Sequence, residues 1–176
     1  MREVADRARI QAFLSALARE ATTSIDVFLV GGTTAVLLGW RASTIDIDLV
    51  MRPESDEMLR AIPALKERLR VNVELASPDQ FIPVPPGWEE RSPVISRVGR
   101  VTFRHYDLVA QALAKIERGH GRDLADVSAM LERGLITGGE VRAMFARMEP
   151  ELYRFPAIDP PSFRRAVDGV VPPEGD

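Results

Sequence analysis

Apolar positions recur at Ile10, Phe13, Leu14 and Leu17 within residues 2–20, the i, i+3, i+4, i+7 spacing of an amphipathic helix. A β-prone run at 26–30 (DVFLV) stops at Gly31-Gly32, which predicts a buried strand followed by a turn. Residues 33–39 predict a short helix ending near Gly39. Over 44–50 the sequence TIDIDLV alternates, placing Ile45, Ile47 and Leu49 on one face of a strand and Asp46 and Asp48 on the other. Pro53 and the acids after it predict a helix start, and the helix runs to about Arg70, interrupted, if anywhere, at Pro63. A second alternating run at 71–75 sets Asn72 and Glu74 on its polar face.

Residues 77–93 hold Pro78, Pro83, Pro85, Pro86 and Pro93 with Gly87 and Trp88, and predict a long irregular loop of the kind that often carries function. Trp88 either anchors that loop near a pocket or packs it down. Residues 94–98 and 101–104 around Gly99-Arg100 predict a hairpin with a two-residue turn. From Tyr106 onward the pattern is helical. Leu108, Ala112 and Ile116 form one stripe with Val109 and Leu113; Gly119-His120-Gly121 breaks it, and Leu124, Val127, Ser128 and Leu131 begin another. A third helix follows Gly138-Gly139 to about Met148, and 172–176 reads as a frayed tail. The fold class expected is α/β (α+β), a small mixed β-sheet flanked by helices with a C-terminal helical extension. One domain over 1–176 is expected, with an α/β core over about 1–104, the extension over about 105–170 and a tail over 171–176.

Composition narrows the function classes. Hydrophobic residues make up 45% of the chain, enough for an ordinary core. A net charge of −3 argues against a general polyanion binder, so a nucleic-acid substrate requires a local basic patch. Arg97, Arg100 and Arg104, with Arg118 and Arg122, either supply it or are a scattered solvated surface. The absence of cysteine excludes disulfides, thiolate zinc sites and a cysteine nucleophile. The charged N-terminus lacks a signal peptide's apolar core, and no apolar run approaches the ~20 residues of a bilayer span. A cytoplasmic protein with no membrane partner is expected.

The candidate chemistry centres on Asp46 and Asp48. Two carboxylates on one strand face, roughly 6.6 Å apart along the chain, repel each other unless a divalent cation lies between them. A two-metal site uses carboxylates about this close, and magnesium shares its remaining shell with phosphates and water. Val30-Gly31-Gly32-Thr33 marks a strand-to-helix turn where backbone N–H groups can approach a phosphate. Glu74, on the polar face of the next strand, is the candidate third acid, as metal ligand or general base. Only Lys66 and Lys115 are lysines, and Lys115 sits at the edge of its helix's apolar stripe, where an anionic partner would suit it. His105 follows Val101 and Phe103 in the inward register and reads as a core histidine, while His120, between glycines, reads as solvated.

Strand, Gly31-Gly32, helix, then Arg41-x-x-Thr44-x-Asp46-Ile-Asp48-Leu49 resembles the nucleotidyltransferase fold of the DNA polymerase β superfamily. Lys115, Arg122-Asp123 and Asp126 are similar to the K…[RK]D-x-x-D pattern of minimal bacterial nucleotidyltransferases of the AbiEii and MenT toxin type. The resemblance spans about residues 27–131 and departs from the superfamily at the third acid, usually Asp and here Glu74. It implies metal binding by Asp46, Asp48 and Glu74, and nucleotide contact through Gly31, Gly32, Thr33, Arg41, Thr44 and Lys115. Catalytic roles fall to Asp46, Asp48, Glu74, Lys115 and Asp123, Asp123 being weighted above Asp126. The implied cofactor is Mg2+ (or Mn2+) and the substrate a nucleoside triphosphate (NTP). The acceptor is an RNA end or a protein side chain, and the implied partner an antitoxin. The rival class is a degenerate, non-catalytic nucleotide-binding or antitoxin-like module.

Overall fold

The alternation at Asp46 and Asp48 forms a strand inside a sheet, flanked on both sides. The computed structural model describes residues 3–172. The chain begins with β1 (Ala5–Asp6) and α1 (Arg7–Ala18), then β2 (Ile25–Val30) and α2 (Gly32–Leu38). β3 (Ser43–Thr44), β4 (Asp46–Arg52), α3 (Asp56–Leu69) and β5 (Asn72–Leu75) follow. A four-residue helix, α4 (Trp88–Arg91), precedes the hairpin β6 (Val94–Val98) and β7 (Val101–His105). The remainder is helical: α5 (Leu108–Arg118), α6 (Gly121–Glu132), α7 (Gly138–Met148) and α8 (Pro160–Val170). Residues 173–176 of the expected tail and residue 2 of the expected first helix lie outside the described residues.

The described chain divides into two units, residues 3–77 with 92–106 and residues 78–91 with 107–172. In the first, a five-stranded sheet runs in the order β5-β4-β2-β7-β6, with β1 and β3 paired as a separate ribbon. β2 pairs antiparallel with β4 and parallel with β7, and β4 pairs parallel with β5. This is the mixed sheet that the sequence predicts. The predicted stripe of α1, Ile10, Phe13, Leu14 and Leu17, is buried with Ile47, Leu49 and Met51 from β4 and Met58, Ile62 and Leu65 from α3. One sheet face thereby forms the core, and period-two geometry turns Asp46 and Asp48 to the other.

Local chemistry sets the helix ends. Asp6 accepts the Arg9 N–H at the start of α1, and Ser55 accepts the Met58 N–H at the start of α3. α3 carries Asp56 and Glu57 in its first turn and Lys66 and Arg68 in its last, matching the helix dipole. It runs through Pro63 without breaking. Proline removes one hydrogen bond there, and burial of Met58, Ile62 and Leu65 around that turn offsets the loss. Ile45 departs from the predicted alternation: it falls between β3 and β4 and is 63% exposed. Leu75, at the end of edge strand β5, is also exposed.

The second unit is built around α5, which packs against α6, α7 and α8. Asp107 caps α5 by accepting the Val109 and Ala110 N–H groups, and its other oxygen takes the Arg91 Nε–H at 2.6 Å. Arg91 also donates to the carbonyls of Pro85 and Pro86. The Pro-rich stretch is therefore a clipped segment with a short 3-10 turn (Pro78–Gln80), α4 and a fully buried Ile82. Arg91 holds it, and Trp88 is only half-buried. α6 is rotated from its predicted face: Asp123, Asp126, Val127 and Met130 are buried and Ser128 is exposed. The unpredicted α8 joins α7 through Phe145 and Phe163, whose rings meet edge-to-face at 5.0 Å.

Candidate active site

The first unit gathers Gly31, Gly32, Thr33, Arg41, Thr44, Asp46 and Asp48 around one strand-to-helix turn. Asp46 and Asp48 are half-buried on β4, between the fully buried Ile47 and Leu49. Thr33, in the first turn of α2, is itself fully buried. Its hydroxyl accepts the Asp48 N–H at 3.2 Å and lies 3.5 Å from the Asp46 carbonyl. Thr44 donates to the same carbonyl at 3.0 Å. Both threonine side chains thus fasten the backbone of the two aspartates to the turn, and the Thr33 hydroxyl is committed to that role.

The two glycines are required for different reasons. Gly31 has φ +62 and ψ −130, a conformation that side-chain-bearing residues rarely adopt. A Cβ there would lie 3.0 Å from the Asp48 Oδ2. Gly32 has no such backbone demand, but a Cβ on it would overlap the Thr44 side chain, reaching 2.9 Å from the Thr44 Cβ. The same position lies 3.4 Å from an Arg41 guanidinium nitrogen. The turn is therefore bare backbone between a carboxylate and a guanidinium. The carboxylate oxygens of Asp46 and Asp48 are the hard donors that a divalent cation of the magnesium type takes, and the Arg41 guanidinium beside the turn is a partner for a phosphate.

The neighbouring strand completes this face. In the parallel register, Asp48 lies opposite Glu74 and Asp46 opposite Asn72, so all four share one side of the sheet. Glu74 is exposed, on the strand where the sequence reading places it. The unanticipated member is Asn72, whose side-chain amide donates to Asp46 Oδ1. Among the described residues, no three His, Cys, Asp or Glu side chains converge as a metal cluster, so the gathered set is the Asp46–Asp48 pair.

In the second unit, Lys115, Asp123 and Asp126 meet below the surface. The Lys115 ammonium lies 2.7 Å from Asp126 and 3.5 Å from Asp123, and Arg118 reaches Asp123 at 2.7 Å. Lys115 is 7% exposed and Asp126 2%. Within this cluster both aspartates are buried, Asp126 being the deeper and the closer partner of Lys115. The reason is the rotation of α6, which brings positions 123 and 126 inward together.

The remaining candidates are placed as follows. His105 is buried, its Nδ1 3.1 Å from the Thr34 hydroxyl, and burial pushes its pKa down to about 4. It is the core histidine that its register predicts. His120 stands at the N-cap position of α6 and is exposed. Of the five arginines proposed for a basic patch, Arg104 is paired with Asp26 and Arg118 with Asp123.

A mixed sheet, a strand–Gly-Gly–helix turn, an Asp-x-Asp strand beside it and an acid on the next parallel strand together define a nucleotidyltransferase-like α+β protein. Residues 8–153 match a family described as "Nucleotidyltransferase of unknown function (DUF6036)", and the chain belongs to that family. No curated protein and no solved structure matches the chain. No helix of the described residues is long and apolar enough to cross a membrane.

Proposed function

We propose that the chain is a metal-dependent nucleotidyltransferase that moves a nucleoside monophosphate from an NTP to an acceptor hydroxyl. The observation that carries this reading is the Gly31-Gly32 turn, bare backbone set between the Asp48 carboxylate and the Arg41 guanidinium. Asp46 and Asp48 hold Mg2+ or Mn2+, which supplies charge neutralisation at the phosphates when bound. Gly31 and Gly32 present backbone to the triphosphate, and Arg41 offers positive charge beside it. Thr33 and Thr44 hold the aspartate backbone in place. The acceptor oxygen bonds to the α-phosphorus, the bond to the bridging oxygen breaks, and pyrophosphate leaves. Glu74 receives the acceptor hydroxyl's proton.

The finer parts of the proposal rest on the resemblance alone. Lys115 contacts phosphate and Asp123 positions it; the acceptor is an RNA 3′ end or a protein side chain. The setting is a cytoplasmic toxin–antitoxin pair of the AbiEii or MenT type. The test is incubation with each labelled NTP, Mg2+ or Mn2+, and total bacterial RNA and protein, comparing wild type with Asp46→Asn. Metal-dependent label on a macromolecule, lost in the variant, is expected. Undiminished labelling by Asp46→Asn would remove Asp46 from the site.

One observation favours a second reading. Among the described residues no third carboxylate is gathered with the pair, and Asp46 already accepts an amide, which suits a nucleotide-binding module without turnover. That reading requires NTP and metal to raise the melting temperature while no pyrophosphate is released.

A further inference from the structure

Asn72 contacts Asp46 from strand β5, and the proposed reaction leaves it without a role. The β4–β5 register sets it opposite Asp46 on the same sheet face, and its Nδ2 donates to Asp46 Oδ1. An ionised carboxylate at position 72 would only accept, so it would repel Asp46 and offer a third set of oxygens to a cation. The amide does the reverse. It satisfies one Asp46 oxygen with a neutral donor and orients the carboxylate.

Resting on the nucleotide-site reading above, we infer that Asn72 is a positioning residue that makes cation binding depend on the triphosphate. With two carboxylates, and no third gathered beside them among the described residues, this site by itself offers a divalent ion few ligands. Magnesium gives up its water reluctantly and commonly takes one or two carboxylates with substrate phosphates completing its shell. The Gly31 turn lies against Asp48 Oδ2, on the other carboxylate of the pair, and the proposed triphosphate would bring its oxygens to this side. The cation therefore enters as the metal–triphosphate complex. Asn72 also borders a cleft of about 260 Å³ with Glu3, Val4 and Ile45, which gives a carboxylate at this position room to turn away from Asp46.

The test measures binding without turnover. Wild type, Asn72→Asp and Asn72→Ala are titrated with Mn2+ alone and with Mn2+ plus α,β-non-hydrolysable NTP analogues, by calorimetry and melting temperature. Wild type should bind Mn2+ weakly alone and far more tightly with an analogue. Asn72→Asp should raise affinity for Mn2+ alone roughly tenfold, the scale of one added charge beside a divalent ion in a solvated site. Asn72→Ala should weaken the metal–analogue complex several-fold without gaining affinity for the metal alone. Equal affinity of wild type for the metal with and without analogue would overturn the inference, as would an Asn72→Asp affinity no higher than wild type. If Asn72→Asp fails to fold, the Asn72→Ala titration carries the test, and a metal–analogue complex as tight as that of wild type overturns the inference. If the analogues bind no protein at any metal concentration, the nucleotide site itself is wrong and the inference falls with it. If they bind and only the Asn72 effects are missing, the inference alone falls.

Discussion

Replacing Lys115 by Met should destabilise the protein far more than an ordinary lysine substitution. The ammonium is 7% exposed and lies 2.7 Å from Asp126, itself 2% exposed. Asp123 retains Arg118 at 2.7 Å, so the substitution bears chiefly on Asp126, which loses its ammonium contact at 2.7 Å. Removing one partner of a buried pair costs about 3–5 kcal/mol, whereas replacing both by apolar groups is often near neutral. The expected pattern in urea denaturation at neutral pH is therefore asymmetric. Lys115→Met loses about 3–5 kcal/mol, Asp126→Leu loses less because Lys115 keeps Asp123 at 3.5 Å, and the double variant recovers most of the Lys115→Met loss. The double-mutant cycle should return a coupling of several kcal/mol, well above the ~0.2–1 kcal/mol of exposed pairs. A Lys115→Met loss below about 1 kcal/mol, or additive single losses, would refute the reasoning. It would then follow that the ammonium does not balance Asp126 in the folded protein and that its presence there needs another cause, such as a bound anion.

Two further outcomes follow from the first unit. Thr33→Val keeps shape but leaves the Asp48 N–H without the acceptor it now has, so a loss of about 1–3 kcal/mol is expected in chemical denaturation. Thr33→Ser should retain most of the stability; if Val and Ser behave alike, the hydroxyl is not the fastening. His105 is held neutral, with a pKa lowered from 6.5 to about 4 by burial. The unfolded chain binds a proton between those values and the folded chain does not. Stability is thus full above about pH 6.5 and falls as the pH drops toward 4, by on the order of 3 kcal/mol. His105→Gln should flatten the pH dependence of urea stability across that window, and an unchanged slope would show that other groups cause it.

Where side-chain period and burial agree, the sequence is a good guide to this fold. Ile47 and Leu49 are buried and Asp46 and Asp48 face away because period-two alternation puts the apolar pair and the charged pair on opposite faces there. The same rule fails one residue earlier: Ile45 is exposed because the chain breaks between β3 and β4, and a hydropathy pattern does not record a break in pairing. In α6 the apolar residues predict a stripe through Leu124 and Leu131. Asp123 and Asp126 pair with Lys115 and Arg118 and turn inward instead, and such long-range charge compensation leaves no periodic trace. Asn72 was legible as a polar-face residue of a strand. Its contact with Asp46 depends on which strands neighbour each other and in what register, information carried by the sheet as a whole.

The route of the chain between the two units constrains how the sheet can be assembled. The chain crosses at 77/78, 91/92 and 106/107, and the Arg91–Asp107 ion pair joins the ends of the stretch that holds β6 and β7. No single cut therefore separates one unit from the other, and a chain ending at residue 77 contains only β5, β4 and β2 of the large sheet. Leu29 in β2 is in register with His105 in β7. During synthesis, β2 consequently has β4 on one side and an unpaired edge on the other until residue 105 has emerged. An open central strand is a template for pairing with other chains. Among the strands that end up inside the sheet, the one that ends at the Gly31 turn thus waits longest for its second neighbour while the protein is being made.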